Sequence, residues 1–163
     1  MRQYMLICIG LVTLIAGVAL DAAACSCMPQ QPPSQAATDE ALANAAAVFL
    51  GYPVVIRLEP GPIAIGGLTT DPRIISLVRT QFRVLRSWKG ADNPLIWIDE
   101  IQARGCEYPF EIRTNYLVYA HRRGGNLTTS TCSRTRPETD AFFEMERLGA
   151  PRAIFPESEG IKW

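Results

Sequence analysis

Histidine is almost absent from this chain. His121 is the one copy among 163 residues, so any Ser-His-Asp or Cys-His machinery would have to be built around it. No G-x-S-x-G, H-E-x-x-H or phosphate-cradling glycine loop accompanies it. Beside Arg122 and Arg123, at the end of an apolar segment, it reads as a solvated side chain. Asp99 and Glu100 are adjacent, and strand neighbours point to opposite faces, which makes them poor partners for acid-base work. These absences argue against an enzyme, and no cofactor is expected. Excess charge is lacking too. The 16 basic and 16 acidic residues cancel, leaving no cationic surplus to replace counterions on nucleic-acid phosphates, so no nucleic-acid partner is expected. The sequence also has no internal repeat and no break that would mark a second domain.

What is present begins with an export pattern. Arg2 precedes an apolar run over 4–20, and Ala22 and Ala24 then supply the A-x-A pattern of signal-peptide cleavage, which assigns 1–24 to a leader. Two other readings stand beside it: an uncleaved anchor, because the run approaches the length that spans a bilayer, and lipid attachment at Cys25. No membrane partner is expected unless the leader is retained or Cys25 is lipidated. A cleaved leader predicts a secreted protein, extracellular or periplasmic, with Cys25 as its first residue.

Export changes the meaning of the cysteines. Cys8 leaves with the leader, and Cys25, Cys27, Cys106 and Cys132 remain, an even number in an oxidising compartment. Two disulfides are expected, with three connectivities open. A four-thiolate zinc site is the competing reading, but structural zinc usually draws on two C-x-x-C pairs, and here there is one C-x-C with two isolated cysteines.

Proline and glutamine in MPQQPPS (28–34) predict an extended arm. The alanine-rich stretch 35–46 predicts a short helix. Five segments rich in β-branched and aromatic residues then read as strands: 47–58, 74–88, 95–102, 110–120 and 126–132. The alternation of Gln81-Phe82-Arg83-Val84 predicts a half-buried strand, whereas the continuous apolar run 116–120 predicts burial on both faces. Turn chemistry separates them at 59–72, 89–94 and 122–126, the last a tight hairpin. Thr135-Arg136-Pro137-Glu138 has the form of a capping box, and Ala141, Met145 and Leu148 fall on one face of a helix ended by Gly149 and Pro151. The tail 151–163 shows no usable period. Tyr52, Trp88, Trp97 and Tyr119 could form a stacking surface, though strand aromatics are more often packing residues. Asn126-Leu127-Thr128 has the form of an N-glycosylation acceptor. The fold class is mainly β, with a five-stranded OB-fold barrel, a flanking short helix and a C-terminal helix; a β-sandwich is the runner-up.

Six stretches carry a resemblance to a known family: CSCMP (25–29), AAAVFLG (45–51), FRVLRSWKG (82–90), GCEYPF (105–110), YLVYA (116–120) and TSTCSRTRP (129–137). Together they resemble the tissue inhibitors of metalloproteinases and their netrin-like (NTR) OB-fold relatives, over most of 25–150. The resemblance implies bridges Cys25 to Cys106 and Cys27 to Cys132. It implies that Cys25, Ser26, Cys27, Met28 and Pro29 form a rigid inhibitory wedge, with the amine and carbonyl of Cys25 displacing water from the zinc of a bound metalloprotease and Ser26 entering its substrate pocket. Cys25 would then be a metal ligand toward that partner's zinc only. The alternative is an NTR-like module, lipid-anchored or free, that binds another extracellular or envelope protein without inhibiting anything.

Overall fold

In the computed structural model the described residues are 27, 34–60, 64–65, 68–69, 76–102 and 106–156. Among them the elements run α1 (Gln35–Asn44), β1 (Ala47–Pro60), β2 (Ala64–Ile65), β3 (Leu68–Thr69), β4 (Ser76–Lys89), β5 (Leu95–Gln102), β6 (Tyr116–Arg123), β7 (Asn126–Thr128), β8 (Arg136–Pro137), α2 (Glu138–Leu148) and β9 (Ala153–Ile154). The fold is mainly β. Seven antiparallel strands form one sheet along the path β5-β4-β1-β6-β7, with β8 added to β6 and β9 to β4; β2 and β3 pair separately. Each of the five segments expected as strands carries one strand of this path.

Where a five-stranded OB-fold barrel was expected, the described residues form one open seven-stranded sheet, with no hydrogen-bonded ladder joining β5 to β7 among them. The two end strands nevertheless lie close together. Register shifts at Val48/Phe49, Leu50/Gly51 and Pro53/Val55 mark bulges in β1, and bulges bend a strand and increase its twist. That bending brings the ends of a sheet toward each other.

The sheet is buried on both faces where β1 and β6 pair. On one face Phe49, Phe82, Val84, Ile98, Tyr116 and Val118 form a core. On the other, Val48, Leu50, Trp88, Leu117 and Tyr119 pack under the helices, reached by Ala141, Met145 and Leu148 of α2. The continuous run 116–120 is buried throughout, as its lack of alternation predicted. The ends of α1 are closed by side chains. Ser34 Oγ accepts from Ala37 N at the start of α1, and Lys89 Nζ donates to Leu42 O and Ala43 O at its end, at 2.9 Å each. Gly90 turns the chain beside that lysine with φ of 63°, where an added Cβ would also meet the Ala46 carbonyl. The predicted hairpin is present: Gly124 and Gly125 have φ of 57° and 92°, the pattern of a two-residue turn that suits strand twist.

Four boundaries differ from expectation, each because a tertiary contact outweighs local propensity. The strand expected over 110–120 starts only at Tyr116. The preceding residues turn, with Arg113 at φ of 67°, so that Phe110 can pack edge-on against Phe82 and Tyr116. The strand expected over 126–132 ends at Thr128, where side-chain hydroxyls take over the hydrogen bonding. Thr135 is not the helix cap: Pro137 occupies that position without a side-chain bond, while Thr135 and Glu138 bond elsewhere. The tail is not featureless either, because β9 pairs with Arg86 and Ser87 and carries the sheet beyond residue 150.

Candidate functional site

Hydroxyl chemistry shapes the ground on which the cysteines sit. In the segment 129–135 five of seven residues are Ser or Thr, and their short side chains compete with ladder hydrogen bonds. Thr129 Oγ1 donates to Tyr119 O at 3.0 Å, and lies 2.8 Å from Ser133 Oγ and 2.9 Å from Thr135 Oγ1. Thr135 Oγ1 accepts from Tyr119 N at 3.0 Å. Ser133 Oγ donates to Ser130 O at 2.7 Å, and Cys132 N donates to Ser130 Oγ at 3.3 Å. Thr129, Ser133 and Thr135 are buried, so this network replaces a strand ladder with a satisfied polar knot anchored on β6.

Cys132 projects from the knot and is joined to Cys27 by a disulfide with a Cα–Cα distance of 5.1 Å. That bond removes both from any zinc site and ties an exposed residue near the chain start to the sheet. Cys106 is disulfide-bonded as well. Its carbonyl accepts from Thr131 N at 3.0 Å and from Thr131 Oγ1 at 3.3 Å, so the two anchoring cysteines are held side by side by backbone. The expected partner of Cys106, Cys25, lies outside the described residues, as do Ser26, Met28, Pro29 and the expected leader over 1–24. Among the described residues no helix is long and apolar enough to cross a membrane.

Beneath Cys106 is a feature the sequence reading missed. Tyr108 and Phe110 fold over the core, in ring contact with each other and with Tyr116. The Tyr108 amide donates to Glu100 Oε1 at 2.8 Å. Glu100 is 1 % exposed, on the inward face of β5, and its Oε2 has no hydrogen-bond partner among the described residues. Burial, with a contribution from Glu107, pushes the Glu100 carboxyl up to about 7, against the opposing effect of the Tyr108 amide. Glu107 Oε2 and Thr80 Oγ1 are also buried without partners. The signal available in sequence was an acidic pair, Asp99-Glu100, near the end of an otherwise apolar strand.

The remaining singled-out residues fall elsewhere. Asp99 and Glu100 do face opposite sides, Asp99 pairing with Arg79 at 3.0 Å on the outer face. His121 is exposed on β6. Trp88 and Tyr119 are buried packing residues; Trp88 Nε1 donates to Gly149 O at 2.9 Å. Trp97 lies under the guanidinium groups of Arg57 and Arg79, at 5.7 and 5.3 Å from its ring centroid, so those arginines already cover the aromatic face. No continuous stacking surface is formed by these four aromatics. Asn126 of the glycosylation motif is exposed at the hairpin. Among the described residues no group of three or more His, Cys, Asp or Glu could hold a metal ion. No family model and no curated protein sequence matches the chain.

Proposed function

We propose that the chain is an exported, noncatalytic inhibitor of zinc metalloproteases, a short relative of the tissue inhibitors of metalloproteinases, acting through the amine and carbonyl of Cys25. The observation that carries this reading is the Cys27–Cys132 disulfide, which fastens the C-x-C segment to the sheet beside the bonded Cys106. A segment pinned in this way loses less conformational freedom on binding than a free terminus would. The close approach of β5 and β7 supports reading the sheet as a partly open OB-fold. The disulfide also supports export to an extracellular or periplasmic compartment.

The chemistry follows from what a protease zinc leaves open. Three protein ligands hold such a zinc and water occupies the remaining position. The neutral amine and the carbonyl of Cys25 would replace that water as a chelate, and an α-amine with a pKa of about 7.7 to 8.0 is partly neutral near pH 7. Ser26, small and polar, would enter the adjoining pocket.

Inhibition constants against a panel of zinc metalloproteases test this, using the oxidised chain that begins at Cys25, the same chain with one alanine ahead of it, and Ser26→Arg. The first is expected to inhibit, the second to lose inhibition and the third to weaken. No inhibition by the first, or equal inhibition by the first and second, overturns the chelating role.

A further inference from the structure

Helix α2 turns its packing face to the sheet and its aromatic side chains to solvent. Ala141 and Glu144 are buried, whereas Phe142 and Phe143 between them are 65 % and 70 % exposed. Their ring centroids lie 5.7 Å apart in an edge-to-face contact, so they form one patch. Ile154 of β9, 67 % exposed, extends it. That residue stands opposite Arg86 in the sheet, Arg86 pairs with Glu138 at 3.8 Å, and Phe142 lies one turn along α2 from Glu138. Single exposed apolar residues are ordinary, but a contiguous apolar patch marks a surface that meets something.

The charges around the rings select what it meets. Helix α2 carries Glu138, Asp140, Glu144 and Glu146 against Arg147 as its one cation, a balance opposite to that of helices that lie on anionic bilayers. A second copy of the same helix fits better. Asp140, Phe143 and Arg147 are spaced i, i+3, i+7, which places them along one stripe in the order acid, aromatic, base. Read in the opposite direction, that stripe is its own complement.

We propose that α2 is a self-association surface, on which two copies of the chain pair antiparallel about a two-fold axis beside Phe143. Each Phe143 then packs on its counterpart, and Asp140, one turn before it, comes opposite the partner's Arg147, one turn after it. A two-fold axis makes every such contact reciprocal, so two opposite-charge pairs flank the rings. Glu146 comes opposite the partner's Thr139, a neutral residue at the positive end of that helix's dipole. A parallel copy would instead set acid against acid and base against base.

The area sets the strength. At about 200 Å² for a whole phenylalanine, Phe142 and Phe143 leave roughly 270 Å² in water per copy. Two copies bring roughly 540 Å² of aromatic surface together, and Ile154 adds to it. Interfaces are about 60 % apolar, so this is the apolar share of roughly 900 to 1,200 Å², the low end for specific pairs. A weak dimer, dependent on concentration, is the consequence. The surface lies on α2 whatever the segment at Cys27 binds, so failure to inhibit a protease leaves it standing.

Sedimentation equilibrium tests this on the oxidised chain that begins at Cys25. The average mass is expected to move from one chain toward two between about 1 μM and about 500 μM. Phe143→Glu, which sets two like charges on the axis, is expected to raise the dissociation constant by at least about tenfold while near-ultraviolet circular dichroism stays unchanged. Arg147→Asp is expected to weaken the pair, and the swap of Asp140→Arg with Arg147→Asp to restore it, a rescue that a merely structural role of either residue does not produce. A single chain at every concentration overturns the proposal, and flotation of that single chain on vesicles of phosphatidylcholine and phosphatidylglycerol would assign the patch to a lipid surface instead. A pair indifferent to Phe143→Glu, or one that the charge swap fails to restore, overturns it equally.

Discussion

Two buried glutamates, one on each side of the sheet, have opposite surroundings. Glu144 of α2 is 3 % exposed; its Oε1 accepts from Arg134 Nε at 2.7 Å and from the Tyr119 hydroxyl at 2.9 Å. Its Oε2 lies 3.5 Å from Arg136 Nη2, close enough for charge attraction though not aligned as a hydrogen bond. Glu100 has one backbone amide and a like-charged neighbour. The helix-covered side therefore neutralises its buried acid with two arginines. On the loop-covered side none of the described residues supplies such a cation to Glu100, and there the polar hydroxyl knot and the disulfides do the holding. Buried charge is tolerable when paired and becomes responsive to pH when it is not. The same contrast divides the molecule into a side whose cohesion is electrostatic and apolar and a side whose cohesion is partly covalent.

The contrast breaks most directly at the covalent side. Replacing Cys27 and Cys132 together by serine releases a bridge spanning 105 residues of sequence, which the chain-entropy account values at about 5 kcal/mol. Equilibrium urea unfolding should register the loss, and hydrogen exchange should speed up in 129–133 before it does in α2. Uniform loosening of both sides would erase the distinction.

On the helix side, Glu144→Ala strands the Arg134 guanidinium, whose side chain is 12 % exposed, and frees the Tyr119 hydroxyl. Breaking a buried pair by removing one partner costs about 3 to 5 kcal/mol. Denaturant midpoints at pH 5 and pH 8 should fall together, because the stranded group is a guanidinium that stays charged across this range. A pH-dependent loss, of the kind that the raised Glu100 carboxyl produces as pH climbs from about 4.5 to about 7, would show that the two acids are not different in kind.

The smallest effect is expected from Thr135→Val. This isosteric change leaves the buried Tyr119 amide without its acceptor and removes one member of the hydroxyl knot, at about 1 to 3 kcal/mol. Thermal unfolding would measure it, and no change in midpoint would mean that the knot is decoration around the disulfide rather than a support for it.

Much of the architecture was legible in local pattern. The β-branched and aromatic segments marked five strands, the apolar run 116–120 marked the doubly buried one, and the Ala141, Met145, Leu148 spacing marked the packed face of α2. The candidate site was legible only as a set of cysteines, because a thiol's partner is a matter of spatial approach and not of spacing. Glu100 was legible only as an acid adjacent to Asp99, since alternation says that two strand neighbours face opposite ways but not which of them faces inward.

By itself the sequence determined where strands and helices form and that four cysteines follow the apolar N-terminal run, because backbone propensity and apolar periodicity act over a few residues. Only the tertiary structure decided that Cys132 meets Cys27, that Thr135 serves β6 instead of capping α2, and that Phe110 leaves its strand to cover the core. The same holds for the two buried acids, one among arginines and the other beside Glu107. Those outcomes depend on which groups lose water together, and burial is a property of the assembled sheet rather than of any segment within it.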